Sequence, residues 1–417
     1  MTSVAFGSIW QSALVALLLM GMSSLHSISA EDTVESETLS VKVIEDCGFG
    51  CKNNLYSWTM ESYKGNLYVG TLNIKGKQLG MNLFLFGLPL ATSGAEVHRG
   101  TRNDDGSWTW DKVLDGGLTK SKNFGVRKLT TIGEFMYGVT GNHCTGFEVF
   151  RTKDGTTWES VIEPGFGSKK NTSGRGLASF KGYVYVGTEN RKDGANVWRR
   201  AIETDGEFAT NSTWENVVSE GLQNKKNEWF SDFLVYNDGT DDYLYSGTLN
   251  NDGAQLWRTI DGVEWENIFI DGNGIKTDTA VMKLAVFKNK MYLGTMNYDN
   301  GASLLVSTDE TATAFTPLFT NGNGNADNKY MWYIIEFNSR LYVGTFNAYG
   351  QEEFDLYSSA DPENDGFITE TSNAFGLANN MYGIRSMVVH ENRLIIGGAS
   401  NNKPTKVFEA TNRTSSS

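Results

Sequence analysis

Apolar and polar positions alternate in short runs along most of this chain, and the runs recur. The clearest is Leu67-Tyr-Val-Gly-Thr71, followed by Leu72 and Asn73; related blocks stand at 136–142, 184–190, 244–250, 291–297, 341–347 and, in decayed form, 394–400. The tyrosine place is held by Tyr68, Tyr137, Tyr185, Tyr245, Tyr292, Tyr342 and finally Ile395. Alternation with period two is the pattern of a half-buried strand. A strand-built repeat of about 50 residues signals a propeller or a solenoid.

Each unit divides into four predicted strands. The first is an apolar run such as Gly176–Phe180, and the second is the tyrosine block. The third resembles Ala195–Arg199 or Ala254–Arg258, and the fourth follows an Asp-Gly turn, Asp154-Gly155 or Asp261-Gly262. Asp-Gly suits a hairpin because glycine takes positive φ without steric cost. The tryptophans are expected to pack between blades, and no sustained helix is predicted.

The two ends are complementary. Leu39–Glu45 and the following Cys47–Asn54 match Trp158–Asn171, a stretch that closes a unit, whereas the seventh unit stops at Lys406–Ala410 without a fourth strand. The expectation is an all-β, seven-bladed β-propeller of four-stranded antiparallel blades over 39–417, its last blade completed by the N-terminal strand. Closure removes exposed strand edges. The first unit carries an insertion at 74–93 whose segment Met81–Leu90 is very apolar; it is expected to form a lid over the channel mouth. The third step, from Tyr185 to Tyr245, is lengthened by loops at 203–212 and 237–242.

Charge and the N-terminus set the compartment. The chain has 36 Lys+Arg against 49 Asp+Glu, a net charge of −13, which argues against nucleic acid or an anionic membrane as the main partner. Residues 1–30 hold no Asp, Glu, Lys or Arg, have an apolar core at 13–22 and end in Ser29-Ala30, so they read as a signal peptide. The mature protein is then expected to be secreted or at the cell surface, without a membrane span, and 31–38 to be loose. In that compartment the three cysteines imply one bridge, Cys47–Cys51 or Cys51–Cys144. The sequons at Asn171, Asn211 and Asn412 are candidate glycosylation sites.

The blocks Arg151–Trp158 and Arg258–Trp265 resemble the Asp-box of sialidase-like propellers, each one residue short between aspartate and glycine. The mature chain also looks like a broad group of secreted or surface propellers with such repeats. The resemblance implies the fold; Asp-boxes are structural and import no catalytic residues. Sialidases use three arginines and a tyrosine nucleophile, for which Tyr56, Tyr330 and Tyr382 are the analogues here, but no position maps onto that family's motif.

Candidate chemistry comes from positions that vary within the fixed repeat. Thirteen residues before each block stand Asn54, Asn123, Asn171, Asp278 and Asn328, with Asn227 and Asn380 after allowing for insertions. Such side chains cap turns, so their expected role is structural. Nine residues before the block stand Trp58, Arg127, Arg175, Ser231, Met282, Trp332 and Arg385, and two residues earlier Tyr56, Gly125, Ser173, Trp229, Ala280, Tyr330 and Gly383. In a propeller these positions ring the mouth of the central channel. Arginine forks suit carboxylate, sulfate or phosphate, and aromatic faces suit sugar rings.

The leading expectation is therefore a module binding a glycan or small anionic ligand through Arg127, Arg175 and Arg385 with Tyr56, Trp58, Trp229, Tyr330 and Trp332. A carbohydrate-active enzyme, lyase or hydrolase, using the same mouth is the alternative, with His143 or Tyr330 as catalytic group; seven-bladed polysaccharide lyases are the analogy. A protein-binding scaffold is the third reading. His98 and His390 fall at packing positions. Cys47, Cys51, His143 and Cys144 invite a metal reading, but the disulfide is preferred and no metal is assigned. No cofactor is expected; Asp-rich loops at 250–253 and 297–301 leave calcium open without matching a calcium loop. The sequence has no phosphate loop, GxSxG elbow, dinucleotide fingerprint or HExxH.

Overall fold

The computed structural model describes residues 33–76, 87–347, 354–376 and 381–413. The signal-peptide reading of 1–30, the apolar centre of the insertion at 77–86 and Asn380 lie outside the described residues. Within them the chain is all-β with almost no helix; the longest helical turns, such as Glu220–Gln223, have four residues. Its strands are arranged about an axis in a propeller-like, antiparallel sheet.

The tyrosine block forms a strand in every unit, for example Asn66–Asn73 and Tyr183–Glu189, paired antiparallel to the strand before it. The far end of each block touches the first strand of the next unit through one residue pair. These pairs are Leu72 with Gly125, Gly141 with Ser173, Glu189 with Trp229, and Leu249 with Ala280. They continue as Met296 with Tyr330, Phe346 with Gly383, and finally Ala399 with Tyr56, which returns to the first unit. The first and second strands of the units thus close on themselves. Third and fourth strands extend each unit outward, as Val197–Ala201 and Glu215–Val218 do. In the last unit the fourth place is taken by Leu39–Glu45, which pairs with Val407–Asn412 from Leu39 opposite Asn412 to Glu45 opposite Val407.

The segment expected to be loose is partly ordered. Thr33–Glu35 adds a short strand beside Leu39–Glu45. Ser36 Oγ donates to Glu370 Oε2 at 2.7 Å, and the Thr38 amide donates to the same oxygen at 3.0 Å. A buried carboxylate with donors on both oxygens ties this end to its neighbouring unit.

Contacts between units repeat as the sequence does. The block tyrosines are buried, and the hydroxyl of Tyr68 reaches the turn glycine Gly155 of the next unit, as Tyr185 reaches Gly262. A Cβ on Gly155 would stand 1.9 Å from that oxygen, so the Asp-Gly turn needs glycine for space as well as for its φ of 79°. Indole nitrogens bridge the outer strands: Trp110 Nε1 donates to Ile44 O at 3.3 Å, Trp158 to Val113 O at 3.0 Å, and Trp214 to Val161 O at 3.0 Å. The first of these crosses the seam between the two ends of the chain.

The Asx positions are structural. The side-chain amides of Asn54, Asn123, Asn171, Asn227 and Asn328 each donate to the carbonyl of a glycine six residues earlier, at 2.7–3.1 Å. This fastens a turn whose residues run through positive φ, as at Gly165 and Phe166 with φ 60° and 53°. Asn171 is 2% exposed with its amide nitrogen bonded to Gly165 O, so the folded chain offers no acceptor for glycosylation there; Asn211 and Asn412 are exposed. The cysteines form no disulfide: Cys47, Cys51 and Cys144 are free thiols. The turn from Cys47 to Asn54 is closed by Cys51 N to Gly48 O and Asn54 N to Cys51 O, the bonds its cysteine-free counterparts use, so no bridge is required to hold it.

Candidate functional site: the channel mouth

The residues aligned nine places before each block all fall where the first strand breaks register with the second. Single residues stand unpaired in five units: Trp58, Arg127, Met282, Trp332 and Arg385. In the other two the gap takes Arg175-Gly176 and Ser231-Asp232. A bulge inserts an extra residue and re-aims its side chain. Here it sets these positions apart from the paired residues on either side of them.

One side of the mouth is aromatic. Tyr56 meets Trp58 and Trp332 edge-on, each at 5.9 Å between ring centroids, and its hydroxyl is hydrogen-bonded to that of Tyr382. Tyr330 stacks on Phe346 at 4.4 Å and meets Trp332 at 5.5 Å. Two glycines make room for the indoles: a Cβ at Gly125 would lie 2.0 Å from Trp58, and one at Gly383 2.8 Å from Trp332. Burial raises the Tyr56 and Tyr382 phenols above their ordinary value, so both stay protonated and neither is poised as a nucleophile. Tyr330, the other tyrosine candidate, has its hydroxyl paired with that of Tyr298.

The other side is charged. Arg175 lies over Trp229 at 3.5 Å from the ring centroid, and Arg127 over Trp58 at 4.4 Å. Both turn toward Glu189, a carboxylate only 1% exposed. Arg175 Nε and Nη2 reach Glu189 Oε2 at 2.8 and 2.7 Å, Arg191 Nε reaches Oε1 at 2.9 Å, and Arg127 Nη2 stands 3.7 Å from Oε2. Burial alone would raise the Glu189 carboxyl, but the charges of Arg175, Arg191 and Arg127 outweigh it and hold it well below the usual range. Burial lowers Arg127 and Arg175, and for Arg127 the neighbouring Arg175 charge adds to it. Arg385 lies against Trp332 at 4.8 Å and Trp58 at 5.6 Å. Burial and then the Arg175 charge push its pKa down to about 9.

Below this layer Asp232 pairs with Lys128 and, at 2.6 Å, with Lys283. Asp232 serves two lysines, and Glu228 comes only within 4.0 Å of Arg191.

His143 lies beside the charged side. Its Nδ1 donates to the Leu88 carbonyl at 2.9 Å, and its ring packs on Phe124 at 4.6 Å. Burial lowers its pKa below 6.5, so it is neutral at pH 7 with Nε2 as the unprotonated nitrogen. The carbonyl that orients it belongs to the described end of the 74–93 insertion, whose Leu90 packs among Tyr56, Trp58 and Phe124. His98 and His390 are buried packing residues, bonded to Glu96 and Ser62.

Among the described residues, His143, Cys144 and Cys51 do not form a metal-ligand group. The one cluster with donor atoms within 4.8 Å is Glu45, Asp46 and Cys47. There Glu45 Oε1 already accepts the Cys47 and Phe49 amides, so the carboxylate caps a turn and gives calcium little to bind. None of the described helices is long and apolar enough to cross a membrane.

Sequence reasoning brought together the aromatic residues and the three arginines but missed Glu189 and Arg191. The signal for Glu189 was present. The corresponding place in the other blocks holds Leu72, Gly141, Leu249, Met296, Phe346 and Ala399, so a carboxylate there breaks an uncharged pattern.

No protein-family profile and no curated protein sequence matches the chain. Among solved structures it is similar to a protein from Bacteroides uniformis provisionally assigned as a 6-phosphogluconolactonase, at 10% identity over 81% of this chain and 98% of that one, with a TM-score of 0.50. Similarity extends to the polysaccharide lyase Uly1, at 12% identity over 91% and 100% of the two chains and a TM-score of 0.48. It extends also to the Trypanosoma rangeli sialidase, at 10% identity over 75% and 56%, with a TM-score of 0.43. At these identities the likeness is one of fold: an all-β, propeller-like protein.

Proposed function

We propose that the chain is a secreted seven-bladed propeller, each blade one four-stranded unit, whose channel mouth binds an acidic glycan. One observation carries this reading. Seven register breaks fall at equivalent places in the repeat, and the residues at and beside them include an aromatic cluster next to a group of four arginines, while the chain as a whole carries a net charge of −13. Aromatic faces cover the apolar face of a sugar ring, and guanidinium forks meet its anionic group. A thermal-shift panel of acidic, sulfated and neutral oligosaccharides tests it. A ligand at 100 times its dissociation constant adds about 2.7 kcal/mol, a shift of a few degrees for a domain of this size. Stabilisation by acidic sugars alone, lost in Arg385→Ala, is the expected result. No shift with any sugar refutes the proposal and favours a protein-binding scaffold.

His143 supports a second reading, a lyase-type enzyme at the same mouth. A neutral imidazole held by a backbone carbonyl beside an arginine group is equipped to take a proton next to a neutralised carboxylate. Ultraviolet absorbance from an unsaturated product on acidic polysaccharides, absent in His143→Ala, would establish it.

A further inference from the structure

The mouth arginines are of two kinds. Both oxygens of Glu189 are engaged: Oε2 by Arg175 at 2.7 and 2.8 Å with Arg127 at 3.7 Å, and Oε1 by Arg191 at 2.9 Å. These three cations already surround an anion that belongs to the protein. Arg385 differs. Among the described residues no carboxylate lies within ion-pair distance of it; its buried Nε, like that of Arg127, has no hydrogen-bond partner. Its guanidinium lies against the rings of Trp332 and Trp58, and its unpartnered Nε is a donor that a ligand carboxylate would satisfy. Resting on the reading that the mouth takes an acidic glycan, we infer that Arg385 is the residue that reads the ligand's anion, that this anion is a carboxylate carried on a sugar ring, and that Glu189 is an internal anion withholding Arg127, Arg175 and Arg191 from it.

The chemistry selects a carboxylate over a tetrahedral anion. One planar fork pairs with two oxygens of either a carboxylate or a phosphate; it satisfies the carboxylate's single charge, whereas the remaining oxygens and second charge of a phosphate call for further cations. The other cations are occupied by Glu189. A carboxylate one bond from a pyranose places that ring beside Arg385, where Trp332, Tyr330 and Tyr56 stand 5.5–5.9 Å apart in an edge-on array. Burial and the Arg175 charge already disfavour the Arg385 cation, and an incoming anion relieves that cost.

The experiment is calorimetric titration of the full mature chain with methyl glucuronide, methyl glucoside and inorganic phosphate, on wild type, Arg385→Ala and Glu189→Gln. Wild type is expected to prefer the glucuronide to the glucoside by about tenfold or more, the value of one charge-assisted contact. Arg385→Ala is expected to erase that preference. Glu189→Gln frees three guanidinium groups and is expected to bind phosphate about tenfold more tightly than wild type. If Glu189→Gln does not fold in plain buffer, phosphate is expected to restore its thermal transition; failure to do so counts against the role of Glu189. A folded Arg385→Ala that keeps the preference overturns the role of Arg385. A wild type indifferent to the glucuronide, with phosphate gained in Glu189→Gln, overturns the acidic-glycan reading and leaves Glu189 as the internal anion. Neither effect overturns both.

Discussion

Glu189 Oε2 accepts two hydrogen bonds from Arg175, at 2.8 Å from Nε and 2.7 Å from Nη2. The pair joins the block strand of the third unit to that unit's own register break, so a charged contact fixes the aim of a channel-lining side chain. It is buried, and both guanidinium donors converge on one oxygen as charge-assisted hydrogen bonds, leaving the other oxygen to Arg191.

That burial sets the first prediction. Removing one partner of a buried ion pair costs about 3–5 kcal/mol. Glu189→Gln is therefore expected to lower stability by that order at neutral pH, measured by urea denaturation. The folded carboxyl titrates below its ordinary 4.5. Its contribution is therefore fully present above that pH and is lost as pH falls below it. The gap between wild type and Glu189→Gln should narrow below a pH of about 4.5. A gap that stays constant into acid would show that Glu189 is not held ionised by its arginines.

The second prediction concerns Gly125, over which Trp58 lies. A Cβ there would meet the indole at 2.0 Å, and flat contact with the backbone is what lets Trp58 serve Arg127 and Arg385. Gly125→Ala must displace the ring, at a cost of about 1–3 kcal/mol for overpacking. Near-ultraviolet circular dichroism should change and glycan-induced thermal shifts should vanish. An unchanged spectrum would mean that the ring has another seat.

A third prediction follows from the turn that Asn171 fastens. Expressed in a glycosylating host, the secreted folded protein should carry glycan at Asn211, which is exposed in a loop, and none at Asn171, whose amide is bonded to Gly165 O at 2.9 Å. Mass spectrometry of glycopeptides decides it. Occupancy at Asn171 in folded material would require that turn to be open.

How much was legible in the sequence follows from the physics of each part. The Tyr68-type blocks announced their strands because alternation has a fixed period. The pairing partner of Leu39–Glu45 was legible because the last unit lacked a strand and the first residues supplied one. Arg127, Arg385 and Trp58 were found as variation at a fixed offset, yet the bulges that aim them are a property of hydrogen-bond register and leave no residue signature. Glu189 lies on the second strand, away from the two first-strand offsets that mark the arginines, although its charge interrupts an uncharged position. The cysteines misled for a different reason. A thiol pair in an oxidising compartment suggests a bridge, but the turn between Cys47 and Asn54 is built by glycine and asparagine just as the cysteine-free turns at Asn123, Asn171, Asn227 and Asn328 are. Reductant should accordingly leave the thermal midpoint of the protein unchanged.

The last prediction separates a second pH window from that of Glu189. His143 is held by the Leu88 carbonyl at 2.9 Å and packed on Phe124, and burial lowers its pKa below 6.5. The unfolded chain therefore takes up a proton at this residue more readily than the folded one. Stability then falls as pH drops from neutral through the region just below 6.5, and the loss ends once the folded state is protonated too. His143→Gln should remove that slope while leaving the acid limb due to Glu189 in place. The same residue can be followed directly by nuclear magnetic resonance, where the ring should appear as the Nδ1-protonated tautomer at neutral pH. Titration of His143 at or above the value of a free imidazole would contradict its burial, and would remove the neutral base on which the lyase reading depends.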